Sequence, residues 1–300
     1  MGRILWFQLS TWWGSLRLHR DRQTHTARGV VLAGGTLGTN ELLVNCKLGG
    51  SLPNLSPRLG DLVRTNSESV LNVRLPNDLK TWQDVTASSA VQLDEETQIE
   101  FLTYGRQADL MGMMYTLLVG HGNRITRPLK WLGAVIRHPL RWLRTLWPLG
   151  WSRHMVTLLV MQALDNAIAF RPRRRWLVSG WRIVTEQDSD KPNPTYIAVA
   201  NQAALWLARH TGGVAQSNVV EALADIPTTA HVLGGAVIGA DPSSGVIDWR
   251  LQAFGYRNLL VCDGAAMPAN PGVNPALTIT ALAEYAMSHL PSRCEVTPVA

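Results

Sequence analysis

Three short segments near the end of this 300-residue chain carry the side chains best suited to chemistry. They are Thr228-Thr229-Ala230-His231-Val232-Leu233-Gly234-Gly235, Val261-Cys262-Asp263-Gly264 and Pro271-Gly272-Val273-Asn274-Pro275. Each sets one polar side chain in a glycine- or proline-framed turn beside apolar residues, which is how a scaffold presents reactive groups. Histidine titrates near neutrality and suits proton transfer. An asparagine amide can fix an oxygen and steady developing charge without titrating. A carboxylate such as Asp263 can accept hydrogen bonds from sugar or ribitol hydroxyls. This set suits oxidation of a secondary alcohol, in which a base takes the hydroxyl proton while hydride leaves the carbon. No side chain accepts a hydride, so that reaction also needs a flavin or a nicotinamide. Each residue has a plainer reading too. A histidine near paired glycines can be a turn residue, Asn274 a helix cap, and Asp263-Gly264 a turn.

The flanking sequence must position these groups. Gly234-Gly235 lets backbone approach a planar ligand after His231. Asn274-Pro275 opens a predicted helix over Ala276 to Leu290, with Leu277, Ala281, Leu282 and Tyr285 on one apolar face. The start of that helix supplies free N–H groups and partial positive charge. Gly29 to Ala33 reads as a strand. It runs into Gly34-Gly35-Thr36-Leu37-Gly38, and Thr39-Asn40-Glu41 reads as a helix start. This nearly matches a dinucleotide fingerprint, with Ala33 in place of the first glycine and no well-placed acid about twenty residues on. A plain strand-to-helix turn remains an alternative there.

Between these ends, Val70–Leu75, Thr97–Leu102, Thr157–Ala163 and Trp176–Thr185 have strand character, as do Gly245–Asp248 and Leu259–Asp263. Arg171 to Arg175 reads as a basic turn, and Met111 to Val119 as helix-like. A helix is expected within Asn193 to His210, stopped by Gly212-Gly213.

The three segments resemble the carboxy-terminal part of the glucose–methanol–choline (GMC) flavin oxidoreductases, and within them the cholesterol oxidases. The resemblance runs from Ala27 to Pro291. It is strongest at Arg28–Leu43, Arg64-Thr65-Asn66-Ser67-Glu68, Met161-Gln162-Ala163-Leu164-Asp165-Asn166 and Pro227–Ala286. It implies FAD as cofactor, with His231 and Asn274 facing flavin and substrate hydroxyl as the catalytic pair. It also implies that Gly34 and Gly35 border the cofactor and that Asp263 and Gly264 lie near the ribitol. Pro275 and Ala276 would lie by the pyrimidine end of the ring. Cholesterol oxidases also hold a glutamate over the substrate; Glu100 is a candidate counterpart, with no role carried over.

The fold implied is mixed α/β (α+β): an incomplete Rossmann-like FAD-binding domain interleaved with a substrate domain of antiparallel sheet plus helices. The expected divisions are an atypical segment over 1–26, flavin-domain sequence over 27–59, the substrate domain over 60–225, a return to the flavin domain over 226–291, and a tail over 292–300. Family members are longer, and their first segment carries a Gly-x-Gly-x-x-Gly turn that grips the FAD diphosphate. These 300 residues contain no such motif. The expectation is therefore a truncated chain of this family. Its expected activity is FAD-dependent oxidation of a sterol or steroid 3-hydroxyl, or of another apolar alcohol, with oxygen reoxidising the flavin. A dehydrogenase using another acceptor is the alternative. From a different class, the chain is a non-catalytic remnant or a lipid-surface binding module.

Composition bounds the partners. Three widely spaced cysteines, Cys46, Cys262 and Cys294, make neither a metal pattern nor a disulfide framework. There is no run of 18 apolar residues and no clear signal peptide, so the expected location is the cytoplasm or a membrane periphery. The formal charge of +6 is local: residues 120–182 hold 12 Lys and Arg and one acid, Asp165. Within this stretch Trp131, Trp142, Trp147 and Trp151 interleave with Arg137, Arg141, Arg144 and Arg153. That pattern fits an interfacial membrane segment over 127–153, or a helix pair packed on its own sheet. No nucleic-acid motif accompanies the charge.

Overall fold

The structure, a computed structural model, describes residues 5–13, 19–176 and 180–291. The expected tail over 292–300, with Cys294, lies outside the described residues, as do 177–179 of the expected strand beginning at Trp176. In chain order, β1 (Leu5–Trp13) and β2 (His19–Ala27) precede β3 (Val30–Leu32) and α1 (Gly35–Leu48). Next come β4 (Val63–Arg64), β5 (Ser69–Arg74), β6 (Ala87–Gln92), β7 (Thr97–Leu102) and β8 (Tyr115–Leu117). Helices α2 (Thr126–Arg137) and α3 (Pro139–Thr145) lead to β9 (Met155–Gln162), β10 (Ile168–Arg174) and β11 (Trp181–Gln187). The chain continues through α4 (Ala198–Thr211), β12 (Val214–Asn218), α5 (Val219–Ala224), β13 (Leu233–Gly234), β14 (Leu259–Val261) and α6 (Ala276–Ser288).

A six-stranded antiparallel sheet in the order β6-β7-β9-β5-β12-β8 forms the centre of the substrate-domain stretch. Strand β9 lies inside this sheet, and its apolar run Leu158 to Met161 is buried. Helix α4 covers one face with Ala200, Ala204 and Ala208, which pack with Leu71, Val73 and Leu158. Alanines at this spacing let the helix sit close to the sheet. Gly212, at φ 68°, ends α4 in the left-handed conformation expected of a C-terminal glycine.

The Rossmann-like part is a parallel pair, β3 beside β14. Its core joins Leu43 and Val44 of α1 to Val246, Ile247, Leu259 and Val261. Between the two regions runs a four-stranded sheet, β11-β10-β4-β13. Its central β4 carries Arg64 into the turn that organises the site.

Several local expectations are corrected. Met111 to Val119 is helical only at its start: a 3-10 helix over Asp109–Met114 leads into β8, which pairs with β12. The ladder offered by β12 outweighs a local helical tendency. Arg171 to Arg174 is not a turn but part of β10, paired residue by residue with β11. Pro172 is tolerated because β10 contacts β4 only at Ile168 and so has one neighbour beyond it. Gly245–Asp248 forms only isolated bridges. Helix α1 starts at Gly35 rather than Thr39, since Thr39 spends its hydroxyl on Gly34 and Asp263. Leu5–Trp13 and His19–Ala27, without clear period in sequence, pair antiparallel as β1 and β2. The expected apolar face of α6 is covered only in part: Leu282 packs against the core beside Ala286, while Leu277 and Tyr285 are exposed.

Candidate active site

The turn Arg64-Thr65-Asn66-Ser67-Glu68 links β4 to β5 and is buried throughout. Asn66 and Ser67 both take positive φ, 54° and 46°, which non-glycine residues adopt only under firm constraint. The constraint is a set of hydrogen bonds. Asn270 Oδ1 accepts from Thr65 N at 3.0 Å and from Asn66 N at 2.9 Å. Ser67 Oγ donates to Asn166 Oδ1 at 2.8 Å. Asn66 Nδ2 donates to Val273 O at 2.9 Å, and Gly272 N donates to Asn66 Oδ1 at 3.2 Å. Three distant segments, 64–68, 163–166 and 270–274, are thereby tied at one place.

This turn delivers Glu68 to His231. The Glu68 side chain is fully buried, and His231 Nδ1 is hydrogen-bonded to Glu68 Oε1. The second carboxylate oxygen accepts from Thr229 Oγ1 at 2.9 Å and from Ala230 N. Thr229 Oγ1 also accepts from His231 N at 2.8 Å and lies 2.8 Å from Thr65 O, a second acceptor within reach of its one hydrogen. A carboxylate only accepts, so Nδ1 carries the ring hydrogen and Nε2 presents its lone pair. Among the described residues, no protein group bonds Nε2. His231 is thus held in one orientation with one basic nitrogen available.

Asn274 is not the helix cap. Pro275 occupies that position, without a side-chain capping bond. Instead Asn274 Nδ2 lies 2.9 Å from both Glu100 Oε1 and Oε2. Glu100, buried on β7, therefore stands beside Asn274. The Asn274 carbonyl oxygen remains to meet a ligand. The buried turn thus anchors both reactive segments, His231 through Glu68 and Asn274 through the Asn66 bonds to Gly272 and Val273.

The glycines and Asp263 form a second cluster around the start of α1. Thr39 Oγ1 donates to Asp263 Oδ2, while Asp263 Oδ1 accepts from Ala265 N at 2.8 Å. Gly264 is buried, and a Cβ there would meet Thr36 Oγ1 at 2.6 Å. Gly34 and Gly35 are exposed, and Gly35 takes φ 73° with open space around its missing Cβ. Asn40 Nδ2 joins this cluster to the His231 segment by donating to Thr36 O at 2.8 Å and Gly234 O at 3.0 Å. Pro275 is buried and Ala276 exposed at the start of α6; Ile279 of its first turn lies beside Gly264.

These residues fit one end of a dinucleotide flavin. The open turn at Gly34–Gly35 and the amides at two helix starts could hold a ring that gains negative charge on reduction, and the Asp263 carboxylate its polyol tail. Among the described residues no cluster of His, Cys, Asp or Glu is arranged to hold a metal. A cavity of about 640 Å³ borders the site from the Glu68 side. Its walls include Leu37, Ile168, Phe170, Thr229 and Val232 but neither His231 nor Asn274.

Sequence reasoning named His231 and Asn274 but assigned no role to Glu68. The signal was present in the Arg-Thr-Asn-Ser-Glu segment, since a catalytic histidine needs an oriented tautomer and a buried acid supplies it. Glu100 was noticed without a role, and its contact with Asn274 appears only in three dimensions.

Comparison with known proteins gives the family of the chain. A family model described as GMC oxidoreductase matches residues 179–283. A cholesterol oxidase of Acinetobacter baumannii is 38% identical over 288 residues, which cover 96% of this chain and 51% of that protein. A cholesterol oxidase of Mycobacterium tuberculosis is 43% identical over 285 residues, covering 93% of this chain and 49% of that protein. The chain thus spans about half the length of these relatives. In fold, it is similar to pyridoxine 4-oxidase from Mesorbium loti, with a TM-score of 0.54 and 13% identity, covering 94% of this chain and 54% of that one. Near-complete coverage of the chain at this identity places it, as a cholesterol oxidase-like member, in the GMC oxidoreductase family.

Proposed function

We propose that this chain carries the alcohol-oxidising residues of an FAD-dependent enzyme acting on the 3-hydroxyl of a sterol or steroid. The observation that supports this reading best is the Glu68–His231 pair, anchored to the same buried turn as Asn274. His231 Nε2 takes the hydroxyl proton. Glu68 stabilises the imidazolium that results, through the bond it already makes to Nδ1. Asn274, steadied by Glu100, orients the substrate oxygen. FAD, when bound, would supply the hydride acceptor that no side chain provides, with oxygen or another oxidant as the final acceptor. Gly34, Gly35 and the start of α6 would lie against the ring, with Asp263 toward the ribitol. The apolar cavity beside Glu68 and the names of the relatives support an apolar substrate.

The test is a chimera in which this chain replaces the matching half of the Mycobacterium cholesterol oxidase. Anaerobic addition of cholesterol is expected to bleach its flavin bands, and His231→Ala to slow that bleaching on the order of a hundredfold or more. A folded, flavin-loaded chimera that no sterol reduces would overturn the reading and leave a non-catalytic, lipid-binding module as the better one.

A further inference from the structure

The basic, tryptophan-containing stretch divides sharply in the structure. Its inner face packs. Arg127 is buried and bonds Asp225 at 3.1 Å and Thr195 O at 2.7 Å. Trp131 Nε1 donates to Thr116 Oγ1 at 2.8 Å, and its ring meets Trp142 edge-on. Trp151 is 1% exposed and stacks on Tyr115. Three of the four tryptophans of 127–153 therefore serve packing, as the packed-helix alternative for this stretch requires.

The outer face is different. Ile125, Leu129, Leu132 and Ile136 recur at helical spacing and are all exposed, Ile125 by 73% and Ile136 by 71%. Leu140, Leu143, Leu146 and Trp147 continue the stripe along α3, with Trp147 62% exposed. Lys130, Arg137, Arg141 and Arg144 flank it and are exposed. No acidic residue occurs between Asp109 and Asp165.

A pocket of about 600 Å³ opens at the α3 end, lined by Arg74, Arg141, Arg144, His154, Leu140 and Trp147 among others. Arg74 donates to the main-chain oxygens of Arg144 and Trp147, which fixes its charge at the pocket wall. Burial, and then the neighbouring Arg144, lower the pKa of Arg74. Among the described residues, no ion pair neutralises Arg74, Arg141 or Arg144.

We propose that the α2–α3 face docks on an anionic lipid bilayer, with a phosphate headgroup received in this arginine-lined pocket. An apolar stripe flanked by arginine and lysine matches the headgroup–acyl boundary in both polarity and charge. A second copy of the chain is a poor occupant, because self-association would bring the uncompensated arginines together. The proposal stands independently of the oxidation chemistry.

Co-sedimentation with vesicles of phosphatidylcholine, with and without phosphatidylglycerol, tests it on the 300-residue chain. Binding is expected to the anionic vesicles and to weaken as salt is raised. Arg141→Gln and Arg144→Gln should each lower partitioning into anionic vesicles about fivefold. Ile136→Ser with Leu140→Ser should lower partitioning into both kinds of vesicle. Trp emission should shift to the blue on binding, and Trp147→Phe should remove most of that shift. All five side chains are exposed, and unchanged circular dichroism verifies that the variants fold. Absence of wild-type binding to anionic vesicles, or unchanged binding by the arginine variants, would overturn the proposal. A concentration-dependent dimer that Leu140→Ser dissolves, without vesicle binding, would overturn it in favour of self-association.

Discussion

Glu68 and His231, 163 positions apart in sequence, form a pair in which the carboxylate, fully buried, accepts the hydrogen of Nδ1 of the half-buried imidazole. The pair decides which imidazole nitrogen is basic. Every other bond of the Glu68 carboxylate is to the same short segment, at Thr229 and Ala230, so the acid and the loop it orients move as one unit.

Glu68→Gln keeps the shape of that side chain but offers an N–H donor where an acceptor stood. The amide can turn His231 to the wrong tautomer. In a flavin-loaded chimera, turnover is expected to fall by about a hundredfold or more. Flavin content should be unchanged. Equal loss of bound flavin and activity would show a purely structural role.

Asn274→Ala is expected to slow flavin reduction in the same chimera, and Glu100→Gln to do so less. Glu100 acts through Asn274 in this arrangement, so the double variant should be no slower than Asn274→Ala alone. Additive losses would mean that Glu100 touches substrate independently.

Glu221 is buried on α5, held by Thr228 and Ser69, and its pKa is pushed up to about 7, chiefly by burial. The folded state therefore binds a proton that the unfolded state has released above about pH 4.5. Stability from this group is full below that pH and is lost as pH rises through about 7. The loss is on the order of 3 kcal/mol at most. Glu221→Gln is expected to flatten the fall in Tm across this window. An unchanged slope would place the proton elsewhere.

The polypeptide of these 300 residues, expressed alone, is expected not to retain stoichiometric FAD. Its open glycine turn and helix starts suit the ring end, but no Gly-x-Gly-x-x-Gly turn is present to grip the diphosphate. Flavin absorbance surviving gel filtration would contradict this.

Two tryptophans of the basic stretch should behave oppositely. Trp151→Ala empties a packed site against Tyr115 and Tyr104 and is expected to cost about 3–5 kcal/mol of stability. Trp147→Ala removes an exposed ring and should change stability by no more than about 0.5 kcal/mol. Denaturant midpoints measure both.

The sequence alone determined the elements with a clean period or punctuation. Thr97–Leu102, Leu259–Val261, the α4 stop at Gly212 and the α6 start after Pro275 were legible because each is set by residues adjacent in the chain. The candidates His231 and Asn274 stood out for the same reason, lying in glycine- and proline-framed turns. Tertiary structure decided what those side chains touch. Asn274 could have capped α6, yet it bonds Glu100, because the Asn66 turn holds the 272–273 backbone beside the six-stranded sheet. Arg171 to Arg174 became a strand, and Tyr115 to Leu117 left the helical stretch expected over Met111 to Val119, once β11 and β12 offered partners. Which tryptophans face outward was decided by which side of α2 and α3 met the rest of the fold. Local propensity acts over a few residues, whereas the Glu68–His231 bond and the exposed α2–α3 stripe depend on segments that meet only after folding.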